Sequence, residues 1–181
     1  MEEALLTILT NKPELVSASC NIVQTHDELV GGSILIACCT GVIVKPEALA
    51  RYGAAFNIHL APPSFPGRDP HHWAFYERAE NYGVTMHVMT ERVDEGEILN
   101  IDSFPITQKS PMELMDEANR RAFMMLNCVV GNIVKGEFHM PKQRQVWTGK
   151  KRKRKVIFKK STARNIYKLN TFKTSEEKIK I

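Results

Sequence analysis

The sequence has no long apolar run. Its most apolar stretch, Ser33 to Val44, falls far short of the ~20 residues that a membrane-spanning helix needs, so no membrane partner is expected. No basic, apolar and small-residue targeting layout opens the chain, which begins Met1-Glu2-Glu3. Cysteine is scarce, and Cys20, Cys38, Cys39 and Cys128 show no Cys-x-x-Cys spacing. Neither a disulfide framework nor a zinc knuckle is signalled, and a cytoplasmic location is expected. Internal repeats are absent, as are low-complexity tracts outside one basic run. What remains is 181 residues, 43% apolar and 25% charged. That is the balance of a globular protein, with room for one domain of ordinary size and a tail.

The net charge of +5 comes from one place. Between Lys142 and Lys160 there are ten Lys and Arg and no Asp or Glu, and the rest of the chain is net acidic. This shift divides the chain into a body, residues 1–140, and a basic extension, residues 141–181. Charge alone would let Lys150–Lys155 meet nucleic acid, with steep salt sensitivity. Phe158 is the only aromatic in Lys150–Lys160, so a base-stacking platform is poorly supported. A solvated strand and linker is the favoured reading.

Glu2–Thr10 reads as a short helix and Leu15–Val23 as a strand. Gly31-Gly32 then introduces Ser33–Cys39, a continuous apolar run that suits a strand buried on both faces. Pro46 opens a helical turn over Glu47–Tyr52, and Ala54–Leu60 resumes a strand. Asp69-Pro70 predicts a helix start with a side-chain cap, the helix running to about Asn81 and Gly83 lying near its end. Val84–Met89 has the period-2 alternation of a strand. Ser110-Pro111-Met112-Glu113 is a capping box. Met115, Ala118, Ala122, Met125, Leu126, Val129 and Ile133 follow as an apolar stripe, closed by Gly136. Strands alternating with helices predict an α/β fold with an open, mostly parallel sheet. Ligands of such sheets sit at the carboxyl ends of strands, which places the chemistry after Cys39 and after Asn57–Leu60.

That second position is the informative one. Asn57 and His59 are two apart on a predicted strand and so share a face, and Ala61-Pro62-Pro63-Ser64-Phe65-Pro66-Gly67 follows as a stiffened loop. Thirty-five residues beyond His59 comes Asp94-Glu95-Gly96, in a loop that leads into another strand. Each piece alone has a bland reading: a loop-capping histidine, a backbone-bonded amide, a solvated acidic turn. His71 and His72 are adjacent and do not make an i,i+4 metal pair, so no metal is expected. His87, on the strand face opposite Val84, Met86 and Val88, has two readings, a structural histidine, which is favoured, and a residue that approaches the site.

Together, Asn57-Ile58-His59, Pro66-Gly67, Gly83-Val84-Thr85 and Asp94-Glu95-Gly96 give four motifs in order. In these the chain resembles the folate-dependent formyltransferases, a family that includes glycinamide ribonucleotide, methionyl-tRNA and sugar N-formyltransferases. The resemblance covers Ser33 to Ile101 well and the following helix loosely. It implies a Rossmann-like fold, N-terminally shortened here because no counterpart of the family's first strand is read before Glu2–Thr10. It also implies 10-formyltetrahydrofolate as donor and a primary amine as acceptor, of a small metabolite such as an amino sugar in preference to tRNA. Donor hydrolysis or a non-catalytic folate- or RNA-binding relative are the alternatives. The implied catalytic residues are Asn57, donating to the formyl oxygen, His59, stabilising charge or moving a proton, and Asp94, orienting the ring and favouring its charged form. Gly41, Val42 and Val44, with Glu91 and Val93, would border the pterin.

Overall fold

In a computed structural model of the chain, nine strands and α-helices follow one another among the described residues: β1 (Leu6–Leu9), β2 (Asn21–Val23), β3 (Gly32–Cys38), α1 (Pro46–Leu49), β4 (Tyr52–His59), α2 (Pro70–Tyr76), β5 (Asn81–Val88), β6 (Ile98–Pro105) and α3 (Pro111–Val134). The structure describes residues 6–17, 20–139 and 145–151. The strands form one sheet in the order β2-β1-β3-β4-β5-β6. Pairing is parallel from β2 through β4 and antiparallel on both sides of β5, so only β5 runs against the rest. This is the expected α/β architecture, with one reversed strand.

The apolar run of β3 is explained by cover on both faces. Ile36, with Ile8 of β1 and Ile58 of β4, joins a core that includes Trp73 of α2 and Leu114, Ala118, Ala122 and Leu126 of α3. Leu35 and Ala37 point the other way, into a smaller core with Leu9, Val44, Ala48 and Tyr52. A strand buried on both faces has no polar side to alternate with, and its sequence reads as uniformly apolar. β5 behaves likewise: Tyr82 through His87 are all buried, so the alternation read there separates two covered faces.

Four expectations are corrected. The helix read over Glu2–Thr10 is a strand where described: Leu6–Leu9 are buried and pair in parallel with both β2 and β3. A strand thus stands in the sheet interior, ahead of every helix among the described residues. The strand read over Leu15–Val23 shrinks to Asn21–Val23, because Pro13–Leu15 make a 3-10 turn. The second helix ends at Tyr76, and Asn81 and Gly83 lie in β5. Asp69 adopts a left-handed backbone (φ 56°) and makes no side-chain cap, so Pro70 alone marks that helix start. The long helix is as read. Ser110 accepts from the Glu113 amide at 3.1 Å, and Gly136, at φ 72°, follows its last turn.

The fold also fixes the loop after β4. Tyr82 donates its hydroxyl to Leu60 O at 2.8 Å, and Thr85 donates to Ala61 O at 2.7 Å. Among the described residues, no helix is long and apolar enough to cross a membrane.

Candidate active site

β3 and β4 end side by side, and their carboxyl ends open onto two cavities. One, of about 190 Å3, is lined by Thr40–Val44, Met89–Asp94, His87, Asn57 and His59. The other, of about 430 Å3, is lined on its far side by Lys12, Cys39, Met115, Asp116 and Asn119. Thr40, Asn57, His59, Gly67 and Arg68 belong to both. The amide and the imidazole therefore stand where the two spaces meet. All five residues expected to border the pterin, Gly41, Val42, Val44, Glu91 and Val93, line the smaller cavity.

Asp94 reaches this rim because its loop crosses the end of β5 very closely. A Cβ on Gly96 would collide with Val88 O, so only glycine permits that crossing. Asp94 itself has a left-handed backbone (φ 52°), an uncommon conformation for a non-glycine residue, which turns its side chain inward. The carboxylate is 3% exposed. Oδ2 accepts from the Gly67 amide at 2.8 Å, while Oδ1 lies 3.5 Å from His59 Nδ1 and 3.4 Å from His87 Nε2. Burial pushes the Asp94 carboxyl up. The two imidazoles and the Gly67 amide more than offset it and hold the group at about 2.

His59 faces two acceptors, Phe65 O at 3.0 Å from Nε2 and Asp94 Oδ1 from Nδ1. Both favour a proton on the ring. Burial opposes it more strongly, helped by His87, and the net direction is below the ordinary imidazole value. Asp94 thus pulls toward the imidazolium as expected, but desolvation decides, and the resting ring is neutral near pH 7.

His87 is the residue that sequence reasoning undervalued. Antiparallel pairing sets it directly opposite Asn57. Its Nδ1 lies 2.9 Å from Val88 O and its Nε2 3.0 Å from Asn57 Nδ2. In the neutral ring Nδ1–H donates to the carbonyl and Nε2 accepts from the Asn57 amide; a proton on Nε2 would instead point to Asp94 Oδ1. The contact with the amide uses one of the two Asn57 N–H donors and leaves the other for a ligand. The only sequence signal was its place on the strand face opposite Val84. The register that brings it to Asn57 depends on long-range pairing.

A second contribution comes from beyond the predicted body. Trp147 stands edge-on to His59 and His87, with ring centroids 5.8 and 5.1 Å away, and donates Nε1–H to Gly96 O at 2.8 Å. Lys151 pairs with Glu95 at 2.7 Å. The basic residues Arg152–Lys155 lie outside the described residues, as do Val156–Lys160. Among the described residues, no group of three or more His, Cys, Asp and Glu is placed to hold a metal ion.

The chain is similar to known proteins in sequence and in fold. The chain is 28% identical over 148 residues to a methionyl-tRNA formyltransferase of Bacillus cytotoxicus, covering 80% of this chain and 44% of the relative. It therefore spans under half the length of such curated relatives. Among solved structures, an N-formyltransferase from Helicobacter canadensis, in complex with folinic acid and dTDP-3-aminofucose, superposes with a TM-score of 0.67. That match has 16% identity and covers 84% of this chain and 71% of the other. HypX from Aquifex aeolicus, in complex with tetrahydrofolic acid, also gives 0.67, at 17% identity, with 95% and 34% covered. At these identities the likeness to solved structures is one of fold. The sequence profile of the family described as Formyl transferase matches residues 17–124, more than half of the chain and both loops of the site, and the chain belongs to that family.

Proposed function

We propose that this chain transfers a formyl group from 10-formyltetrahydrofolate to a primary amine. The observation that carries the reading is the placement of Asn57 and His59 at the junction of two cavities, with Asp94 locked behind them. A transfer reaction needs a donor and an acceptor on opposite sides of the groups that serve both. The folate co-substrate supplies the formyl group. The smaller cavity fits it in kind: exposed Ile43 and Val93 offer apolar cover, and the turns 40–44 and 89–94 offer backbone groups. Folinic acid in the Helicobacter complex and tetrahydrofolic acid in the Aquifex complex support the same assignment.

The remaining N–H of Asn57 donates to the carbonyl oxygen on which negative charge develops. The bond from the formyl carbon to the folate nitrogen breaks as the amine nitrogen bonds to that carbon, and the departing nitrogen is protonated by His59, which in its neutral form first takes the proton that the amine loses. Both its ring nitrogens then have acceptors in place, Phe65 O and Asp94 Oδ1. Asp94 stays ionised at about 2 and balances the charge created beside it. His87 holds Asn57 in orientation.

For the acceptor, we read an amine of a small metabolite such as an amino sugar. The support is the complex of the Helicobacter structural relative, of which this chain covers 71%. A second reading, methionyl-tRNA, is favoured by the 28% identity to the Bacillus enzyme. Incubation with a radiolabelled formyl donor and each acceptor class in turn decides between them. Label should move to a nucleotide-linked amino sugar. Label on methionyl-tRNA alone would overturn the small-acceptor reading, and labelled formate without any amine would indicate hydrolysis.

A further inference from the structure

We propose that Trp147 is a positioning residue for this reaction, the centre of a strap, Gln145–Lys151, that seals the cluster of His59, His87 and Asp94 from water and binds its two loops together. The inference rests on the reading of His59 as a neutral proton acceptor.

The strap touches both loops from which the site is made. Thr148 and Gly149 donate their amides to Pro63 O at 3.2 and 3.0 Å, fixing the proline-rich loop that presents Phe65 O and the Gly67 amide. Trp147 Nε1–H and Lys151 Nζ fix the other loop, at Gly96 O and Glu95 Oε1. Gln145 bridges to Ile98 where that loop becomes β6. The contact at Gly149 is so close that a Cβ there would strike Ser64 O.

Between these anchors, the indole lies against the two imidazoles edge-to-face. An apolar ring of this size excludes water from whatever it covers. His59 is 10% exposed and His87 3%. The groups facing His59 are Asp94 from the β5–β6 loop and His87 from β5, with Phe65 O from the proline-rich loop. Arg68, Glu91 and Arg92 line the cavity mouth. Glu95 and Lys151 neutralise one another outside the indole. Removing the ring would hydrate the imidazoles and free the loops that align Asp94 with His59.

The test uses the full chain with isotope-labelled histidine. Ring signals are followed by NMR from pH 4 to 8, His59 being assigned by the signal lost in His59→Asn. In Trp147→Ala the His59 midpoint should rise toward the unperturbed value of about 6.5, and the acid limb of the transfer rate should move up with it. The kcat should fall by roughly 10–10²-fold, with KM for the folate donor changed no more than about twofold. Trp147→Phe keeps a ring over the cluster and should restore most of both. Gly149→Ala lifts the strap without touching the indole and should reproduce the Trp147→Ala titration, so it decides alone if Trp147→Ala does not fold. An unchanged His59 midpoint in the Ala variants would overturn the proposal. The titration needs no substrate. Absence of transfer in the unmutated protein would count against formyl transfer while leaving the shielding by Trp147 intact.

Discussion

Two carboxylates in this molecule sit at about the same low value for opposite reasons. Glu117, on the solvent-reached face of α3, is held at about 2 chiefly by Arg120, whose guanidinium donates at 2.6 and 2.9 Å, with Arg121 behind it. Arg121 passes the link on to Asp102 at 3.0 Å and stacks over Phe104, 4.3 Å from the ring centroid. Asp94 reaches a similar value with no arginine or lysine among its causes, deep in the protein, on one amide and two imidazoles. The Glu117 pair can open and let water replace each bond, and salt screens it. Asp94 has no such exit, since any loss of its partners leaves a charge in a dry place. The first cluster joins a helix to a strand. The second holds electrostatic tension beside two cavities, which is the condition under which a charge can assist a reaction.

Cutting each cluster should expose the difference. Asp94→Asn keeps the shape and the contact to Gly67 while removing the charge, and it should lower the rate of formyl transfer by roughly 10²–10⁴-fold. Steady-state turnover checks this, and a rate within threefold of the unmutated chain would place Asp94 among structural residues. Asn57→Ala should cost about 10²–10³-fold in turnover, with little change in donor affinity, because its free N–H acts on charge that develops during the reaction. Because burial lowers His59, activity should hold as pH falls through the ordinary imidazole value of about 6.5 and be lost only below it, and a pH–rate profile with its acid limb above that value would contradict this.

Stability should respond to pH in a defined direction. The folded-state value of Asp94 is depressed from 3.8 to about 2, so its contribution is fully present above about pH 4. It should fade as pH drops toward 2, by about 2 kcal/mol in all. Urea unfolding of the chain and of Asp94→Asn across that range checks this: the difference between them should narrow with acid. The smallest effect belongs to the surface. Glu117→Gln should cost only about 0.2–1 kcal/mol, and less in high salt.

Much of the site was legible because it is local. Asn57 and His59 share a strand face through a spacing of two, and Gly96 marks the close passage that delivers Asp94. The long helix was legible for the same reason, its cap lying within four residues of sequence. What escaped depended on distant pairing. Nothing near His87 shows that β5 runs antiparallel to β4 in the register that brings it to Asn57. Trp147 lies in a segment whose basic composition suggested a solvated tail, yet its contacts are with residues about fifty to ninety positions earlier. Leu6–Leu9 escaped because four buried residues are too few to show a period, and it is pairing with the distant β2 and β3 that makes them a strand.

The most direct trial of the account is single-turnover transfer from a labelled 10-formyltetrahydrofolate to an amine acceptor by the chain, Asn57→Ala and His59→Asn. Labelled formamide product should form with the unmutated chain and fall at least a hundredfold with either variant, while the folate still binds. Product formed at the original rate by either variant would mean that the meeting point of the two cavities is not where the formyl group changes hands.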